Sequence, residues 1–300
     1  MKNTLFKPSR FALTAKKYYS ENGRTMLLRL VTMFGIMVTV LCIQGLIETS
    51  EHYYLTKTGT DKVDAENSQF RQNIIDSLQK EITKRSNETN NTEIGFSFFM
   101  LFAFGIYISS TMVEHTDSKA GRIALYTQPA SYLEKYLIRW LTVFPAFFIA
   151  FMLSFFFADI IRTAVCLGVY PGAPGTHTIF WDTLGLNILH GENILCLLIC
   201  LYPALTSMFM LGSTVYSKNA FVKTFVSVAV LAILVIYTGY LTVKFHEANE
   251  ISRQIEYVSF YKSEHFIISI ISCLLCLLAL INWLVTYFRF KENDVTHRLI

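Results

Sequence analysis

Charge is what this 300-residue chain has least of: Asp, Glu, Lys and Arg make up 16% of it, against roughly a quarter of a soluble domain. The shortage is concentrated in six stretches, 26–47, 94–113, 136–157, 194–216, 220–243 and 266–288, which are nearly free of charge. Each is long enough to cross about 30 Å of hydrocarbon as a helix of roughly 20 residues. With 53% apolar residues and 25 phenylalanines, the pattern excludes an ordinary soluble domain. It predicts an all-α, polytopic membrane protein with six transmembrane helices.

Other absences narrow the function. There is no Gly-x-x-x-x-Gly-Lys-Ser/Thr phosphate loop, no His-Glu-x-x-His zinc pair and no Gly-x-Ser-x-Gly elbow, so the chain is not expected to be an enzyme or to hold a cofactor or metal. All seven histidines fall outside the six spans. The spans also lack carboxylates, which argues against a proton- or sodium-coupled carrier, because such carriers keep ionisable groups within the bilayer. Five of the six cysteines, Cys42, Cys196, Cys200, Cys273 and Cys276, lie in the spans and read as small apolar residues, and Cys166 sits near a span end. The pair Cys273 and Cys276 has no second pair and no polar approach, so neither redox nor metal chemistry is expected of it. Asp159 and Arg162, three residues apart at the end of the third span, read as a local surface pair.

The first 25 residues are basic and polar and precede a full-length apolar run, a poor fit to a cleaved signal peptide. Six spans put both termini on one side. That side carries 16 of the 26 basic residues and 6 of the 22 acids, a net +10 against −6 opposite. By the positive-inside bias it is cytoplasmic, and the expected location is the inner (cytoplasmic) membrane. In the N-terminal tail Phe6, Phe11, Leu13, Tyr18 and Tyr19 interleave with Lys and Arg, which predicts an interfacial helix along the anionic leaflet. The layout is then a cytoplasmic amphipathic segment at 1–25, a six-helix transmembrane domain at 26–288 with an outer loop at 48–93 and a coupling loop at 114–135, and a cytoplasmic tail at 289–300.

The outer loops are patterned. Phe70, Ile74, Leu78 and Ile82 recur every fourth residue among charges, the stripe of an amphipathic helix that needs a surface to bury it. That surface is either the protein's own rim or a partner. Between 159 and 193 a PGAPG reversal at 171–175 precedes an aromatic and aliphatic run suited to the outer interface. In the last outer loop Ile251, Ile255 and Val258 line one side of a short helix.

The segment GRIALYTQPASYLEKYLIRW at 121–140 is the most informative. Glu114 and Asp117 lead into it, and Asp117 or Ser118 suits a helix cap. A short helix follows in which Ile123, Leu125 and Tyr126 form an apolar edge and Lys119 and Arg122 face out. Pro129 cannot continue it. Ser131 with Glu134 three residues on is a capping box, which starts the third span. A push on the short helix would therefore reach a spanning helix.

The order of basic interfacial helix, span, long outer loop and span, then Lys-x-Gly-Arg-x-x-Leu-Tyr-x-x-Pro-x-Ser-x-x-x-Lys, resembles the membrane subunits of ABC transporters of the ABC-2 exporter type; the wording at 129–139 further resembles poorly characterised bacterial permease-like proteins. The match covers about 30 residues well and the six-span layout loosely, and the acids stand seven and four positions ahead of the glycine instead of beside it. The resemblance implies a coupling helix that docks on a separate ABC ATPase subunit, with Gly121, Leu125, Pro129 and Ser131 matching the motif. Glu114, Asp117, Arg122, Tyr126, Glu134 and Lys135 complete the expected contact and joint. It also implies a dimer with a second permease copy or homologue, and export of a hydrophobic or amphipathic substrate. The alternative is a non-transporting multi-pass scaffold or sensor that meets an envelope partner through the 70–82 helix. Lipid surrounds either one, and neither takes a nucleic acid as partner.

Overall fold

The computed structural model describes residues 6–61, 76–77, 80, 92–93, 95–112, 129–171, 178, 193–216, 219–248 and 264–296. Among the described residues the regular elements are all helical. They are α1 (Pro8–Asp61), α2 (Gly95–Ser110), α3 (Tyr132–Leu141), α4 (Phe147–Val169), α5 (Asn193–Val215), α6 (Ala220–Ala248) and α7 (Glu264–Thr296). A single π-turn, Thr142–Ala146, joins α3 to α4 in one rod. Five helices, α1, the α3–α4 rod, α5, α6 and α7, are long and apolar enough to cross a membrane. Of the six expected spans, the second is represented among the described residues by α2, a shorter apolar helix.

The basic segment expected as an interfacial helix is helical from Pro8 and continuous with the first apolar run. From Pro8 the chain runs without a break to Asp61 as 54 helical residues, about 81 Å. The sequence reason is an absence of punctuation. Pro8 opens the helix, where its fixed φ and missing N–H are harmless, and no proline follows within it. Its four glycines, Gly23, Gly35, Gly45 and Gly59, each costing about 1 kcal/mol in a helix interior, are spaced too widely to stop a helix held at its start by tertiary bonds.

The chain forms two compact units. One comprises Met1–Glu21, Phe102–Phe147 and Glu192–Ile300. Its core is Met112, Tyr136, Val143, Met210 and Phe290, flanked by Ile108, Trp140, Trp283 and Tyr287. The α5–α7 pair is its most extensive helix contact, crossed by Asn282 Nδ2 donating to Ser207 Oγ at 3.2 Å, the polar glue expected between helices in lipid. Between α5 and α6 the chain turns at Asn219, φ 52°, a left-handed conformation that Asn tolerates. Gly212 lies against Thr224 there with no room for a Cβ.

The other unit comprises Asn22–Leu101 and Phe148–Gly191. Its helices carry buried stripes spaced by four residues, with one step of three on α4: Met33, Met37, Leu41, Gly45 and Thr49 on α1, Glu93, Ser97 and Leu101 at and before the start of α2, and Phe151, Phe155, Asp159, Arg162 and Cys166 on α4. Rows at i and i+4 are the ridges by which helices pack most often. Two of these stripes carry charge at the same end. Outside both cores, α6 exposes apolar side chains around its whole circumference, among them Val230, Leu231, Ile233, Val235 and Tyr237, as a helix bathed in hydrocarbon does.

Candidate functional site

Ser131 is the N-cap of α3, with an extended backbone at φ −68° and ψ 155°. Its Oγ accepts the Glu134 N–H at 3.3 Å, and Glu134 Oε2 accepts the Ser131 N–H at 3.0 Å. The capping box expected from sequence is thus formed. The carboxylate does more. Its Oε1 accepts the backbone N–H of Lys7 at 2.8 Å and Arg10 Nη2 at 2.9 Å, and its Oε2 accepts Arg10 Nε at 2.7 Å. Lys7 precedes the first residue of α1, so one carboxylate satisfies orphan amides at the starts of two helices and takes the planar fork of an arginine. Both helix dipoles favour the negative charge there. Glu134 is 0% exposed.

A second bond repeats the attachment farther along. Thr142 Oγ1 donates its proton to Ile138 O at 2.8 Å, so Tyr19 is the donor in its 2.8 Å bond to Thr142 Oγ1. Nine residues separate Arg10 from Tyr19 and eight separate Glu134 from Thr142, rises of about 13.5 and 12 Å. The two helices therefore run parallel and in register over this stretch. Thr142 opens the π-turn that contains Pro145. There the missing N–H breaks the ladder, and single π-turns frequently occur at functional sites.

Inside the same unit aromatic rings brace the start of the rod. Tyr136 donates to Trp283 O at 2.9 Å, Trp140 meets Trp283 edge-on at 5.2 Å, and Phe144 lies 4.9 Å from Trp283 and stacks on Tyr202 at 5.6 Å. Lys135 is buried near the Tyr132 ring and Arg139 near the Phe290 ring. Nothing in this arrangement supplies a nucleophile beside a base.

Of the expected site residues, Glu114, Asp117, Gly121, Arg122, Leu125 and Tyr126 lie outside the described residues. Pro129 is in a bend and exposed; Ser131, Glu134 and Lys135 start the rod. Glu134 and Lys135 are buried, so they face the protein's interior instead of a docking surface. Sequence reasoning missed Lys7, Arg10 and Tyr19. The available signal was that a capping-box glutamate has lone pairs left over, and a basic tail stood nearby to use them. Of the 70–82 stripe, only the polar Asp76, Ser77 and Lys80 are described, and they are helical and exposed; the 251–258 helix lies outside the described residues.

The second unit holds charges that the sequence placed on the surface. Asp159 and Arg162 do pair, with Oδ1 at 3.0 Å from Nε and 2.9 Å from Nη2, but both are buried. Arg162 Nη1 also lies 3.5 Å from Glu93 Oε2. The surface reading fails because position 162 falls on the buried stripe that α4 turns toward α1, where Gly45 lets the arginine stem approach: a Cβ there would sit 2.9 Å from Arg162 Cγ and 3.1 Å from Cys166 Sγ.

No protein-family model matches the chain, and comparisons with curated proteins and with solved structures find no match.

Proposed function

We propose that this chain is the membrane-spanning permease subunit of an ATP-driven transporter of the ABC-2 exporter type. In this reading α2 is the second of six spans, both termini are cytoplasmic, and the protein pairs with a second permease copy in the inner membrane. A separate ATPase grips the first cytoplasmic loop at Glu114, Asp117, Gly121, Arg122, Leu125 and Tyr126. Closure of two such ATPases drives a hydrophobic or amphipathic substrate between the paired permeases.

The observation that supports this reading is the bonding of Glu134. A force delivered through Pro129 meets a capped helix start bonded to the N-terminus of α1, and Tyr19 ties the same helix to the π-turn. Displacement of the loop therefore moves two long apolar helices together instead of fraying one end.

The test is purification from native membranes with identification of any P-loop ATPase retained, using the intact protein and a version in which 121–126 is replaced by a flexible linker. The intact protein should retain the ATPase and the replacement should lose it. Failure of the intact protein to capture any ATPase, or capture that survives the replacement, would end the coupling role.

A further inference from the structure

One charge cluster of the second unit does not balance among the described residues. Glu48 on α1, Glu93 just before α2 and Asp159 on α4 gather around Arg162, so these four groups, fully ionised, carry −2. Cys42 on α1 and Cys166 on α4 are the other titratable groups there, and the Cys166 sulfur lies beside Gly45. Asp159 holds the arginine through Nε and Nη2. Glu93 is left with one contact at 3.5 Å, too long for a strong charge-assisted bond. It is 0% exposed, and neither of its carboxyl oxygens receives a hydrogen bond.

A buried carboxylate without donors is strongly disfavoured as an anion and takes up a proton instead. Among the described residues no group of three or more His, Cys, Asp or Glu is arranged to hold a metal ion, which leaves the proton as the cation that fits. We propose that Glu93 is a reversible proton-binding site whose occupancy sets how tightly the start of α2 is held against α1 and α4. Burial is the main cause that pushes its carboxyl up to about 7, with Glu48 and Asp159 adding to the rise and Arg162 opposing it. The site thus changes state near neutrality. It lies outside the apolar run of α2, and it is independent of the permease reading.

The consequence has a definite sign. A carboxyl whose folded value is raised contributes stability that is complete below its ordinary value near 4.5 and is lost as pH rises through about 7. The three-helix contact is tightest when Glu93 is protonated. Alkaline conditions place a second unbalanced charge in it and loosen it.

The experiment is infrared difference spectroscopy of the full chain in phosphatidylcholine nanodiscs, stepped from about pH 5 to about pH 9 across the range in which a raised carboxyl titrates. One protonated-carboxyl band should disappear with a midpoint near 7 and be missing in Glu93→Gln. Asp159→Asn releases the arginine fork to Glu93 and should lower the midpoint by at least about one pH unit, a tenfold loss of proton affinity. Glu48→Gln should lower it by less. Exchange of choline for sodium at constant ionic strength should leave the midpoint in place. The proposal is overturned if no band titrates in this range, if the band persists in Glu93→Gln, if Asp159→Asn leaves the midpoint unmoved, or if sodium displaces it. Should Glu93→Gln not fold, the Asp159→Asn and Glu48→Gln shifts decide the assignment.

Discussion

Glu134 and Glu93 are both fully buried glutamates beside an arginine, yet their surroundings differ sharply. Glu134 accepts four hydrogen bonds, two on each oxygen, two of them from the Nε and Nη2 of Arg10. Glu93 accepts none and shares an arginine already held by Asp159. Burial is common to the two; the supply of donors is not. A carboxylate at the start of two helices sits where backbone amides have no partners of their own, so its charge is welcome. One flanked by two other acids, with Arg162 at 3.5 Å and no hydrogen bond to either oxygen, is satisfied by a proton. The first arrangement builds a fixed joint, and the second builds a site that changes with pH.

Removal of each charge separates the two cases most strongly. Glu134→Ala deletes the capping box and leaves Arg10 and two helix-start amides without the carboxylate. It is expected to lower stability by about 3 kcal/mol, combining roughly 1 kcal/mol for the cap with charged hydrogen bonds of about 2 kcal/mol. Thermal unfolding in detergent at pH 7 measures it. Glu93→Gln acts in the opposite direction, raising the unfolding temperature at pH 8 by the equivalent of about 2 kcal/mol and leaving it unchanged at pH 4.5, where the native carboxyl already carries its proton. If both substitutions destabilise the protein equally at pH 8, burial alone governs these sites and the contrast collapses.

Much of this architecture could be read from the sequence. Five of the six charge-poor stretches correspond to helices long enough to cross a membrane, and Ser131 with Glu134 formed the cap that their spacing required. Local rules suffice for such features, because apolar length and a three-residue spacing are properties of contiguous chain. What escaped notice depends on distant partners: Arg10 and Glu134 are 124 residues apart, and nothing in a basic tail marks which cation will find a carboxylate. Position 162 carried the same ambiguity. A three-residue spacing from Asp159 predicts the pair, but only the packing of α4 on α1 decides whether the pair meets water.

Gly45 sharpens the comparison from the other direction, by changing space instead of charge. A methyl group there would meet Arg162 Cγ at 2.9 Å, Cδ at 3.1 Å and Cys166 Sγ at 3.1 Å, all tighter than ordinary contact. Gly45→Ala therefore pushes the arginine stem off its seat, with a cost of about 1 to 2 kcal/mol from overpacking offset by the better helix propensity of alanine. The loss should appear in thermal unfolding at every pH, and the Glu93 titration should move upward because Arg162, which opposes the rise, has retreated. The same substitution at Gly23, where nothing lies within 4 Å of the added carbon, should leave that titration unmoved and stabilise α1 slightly. An equal response at both glycines would show that helix propensity, and not the approach to Arg162, governs position 45.

The smallest effect belongs to the bond between Tyr19 and Thr142. It is exposed, neutral and made by a side chain that loses little else when its hydroxyl is removed, so Tyr19→Phe should cost at most about 1 kcal/mol. Its value lies in the rod it touches. Thr142 keeps its own bond to Ile138 O and the π-turn keeps Pro145, so the helix itself should persist while its second attachment to α1 is lost. Hydrogen exchange of the amides after 142 should then quicken in Tyr19→Phe and remain slow in the parent protein. Equal exchange in the two would mean that the clasp at Glu134 alone holds the helices in register, with the π-turn indifferent to its neighbour.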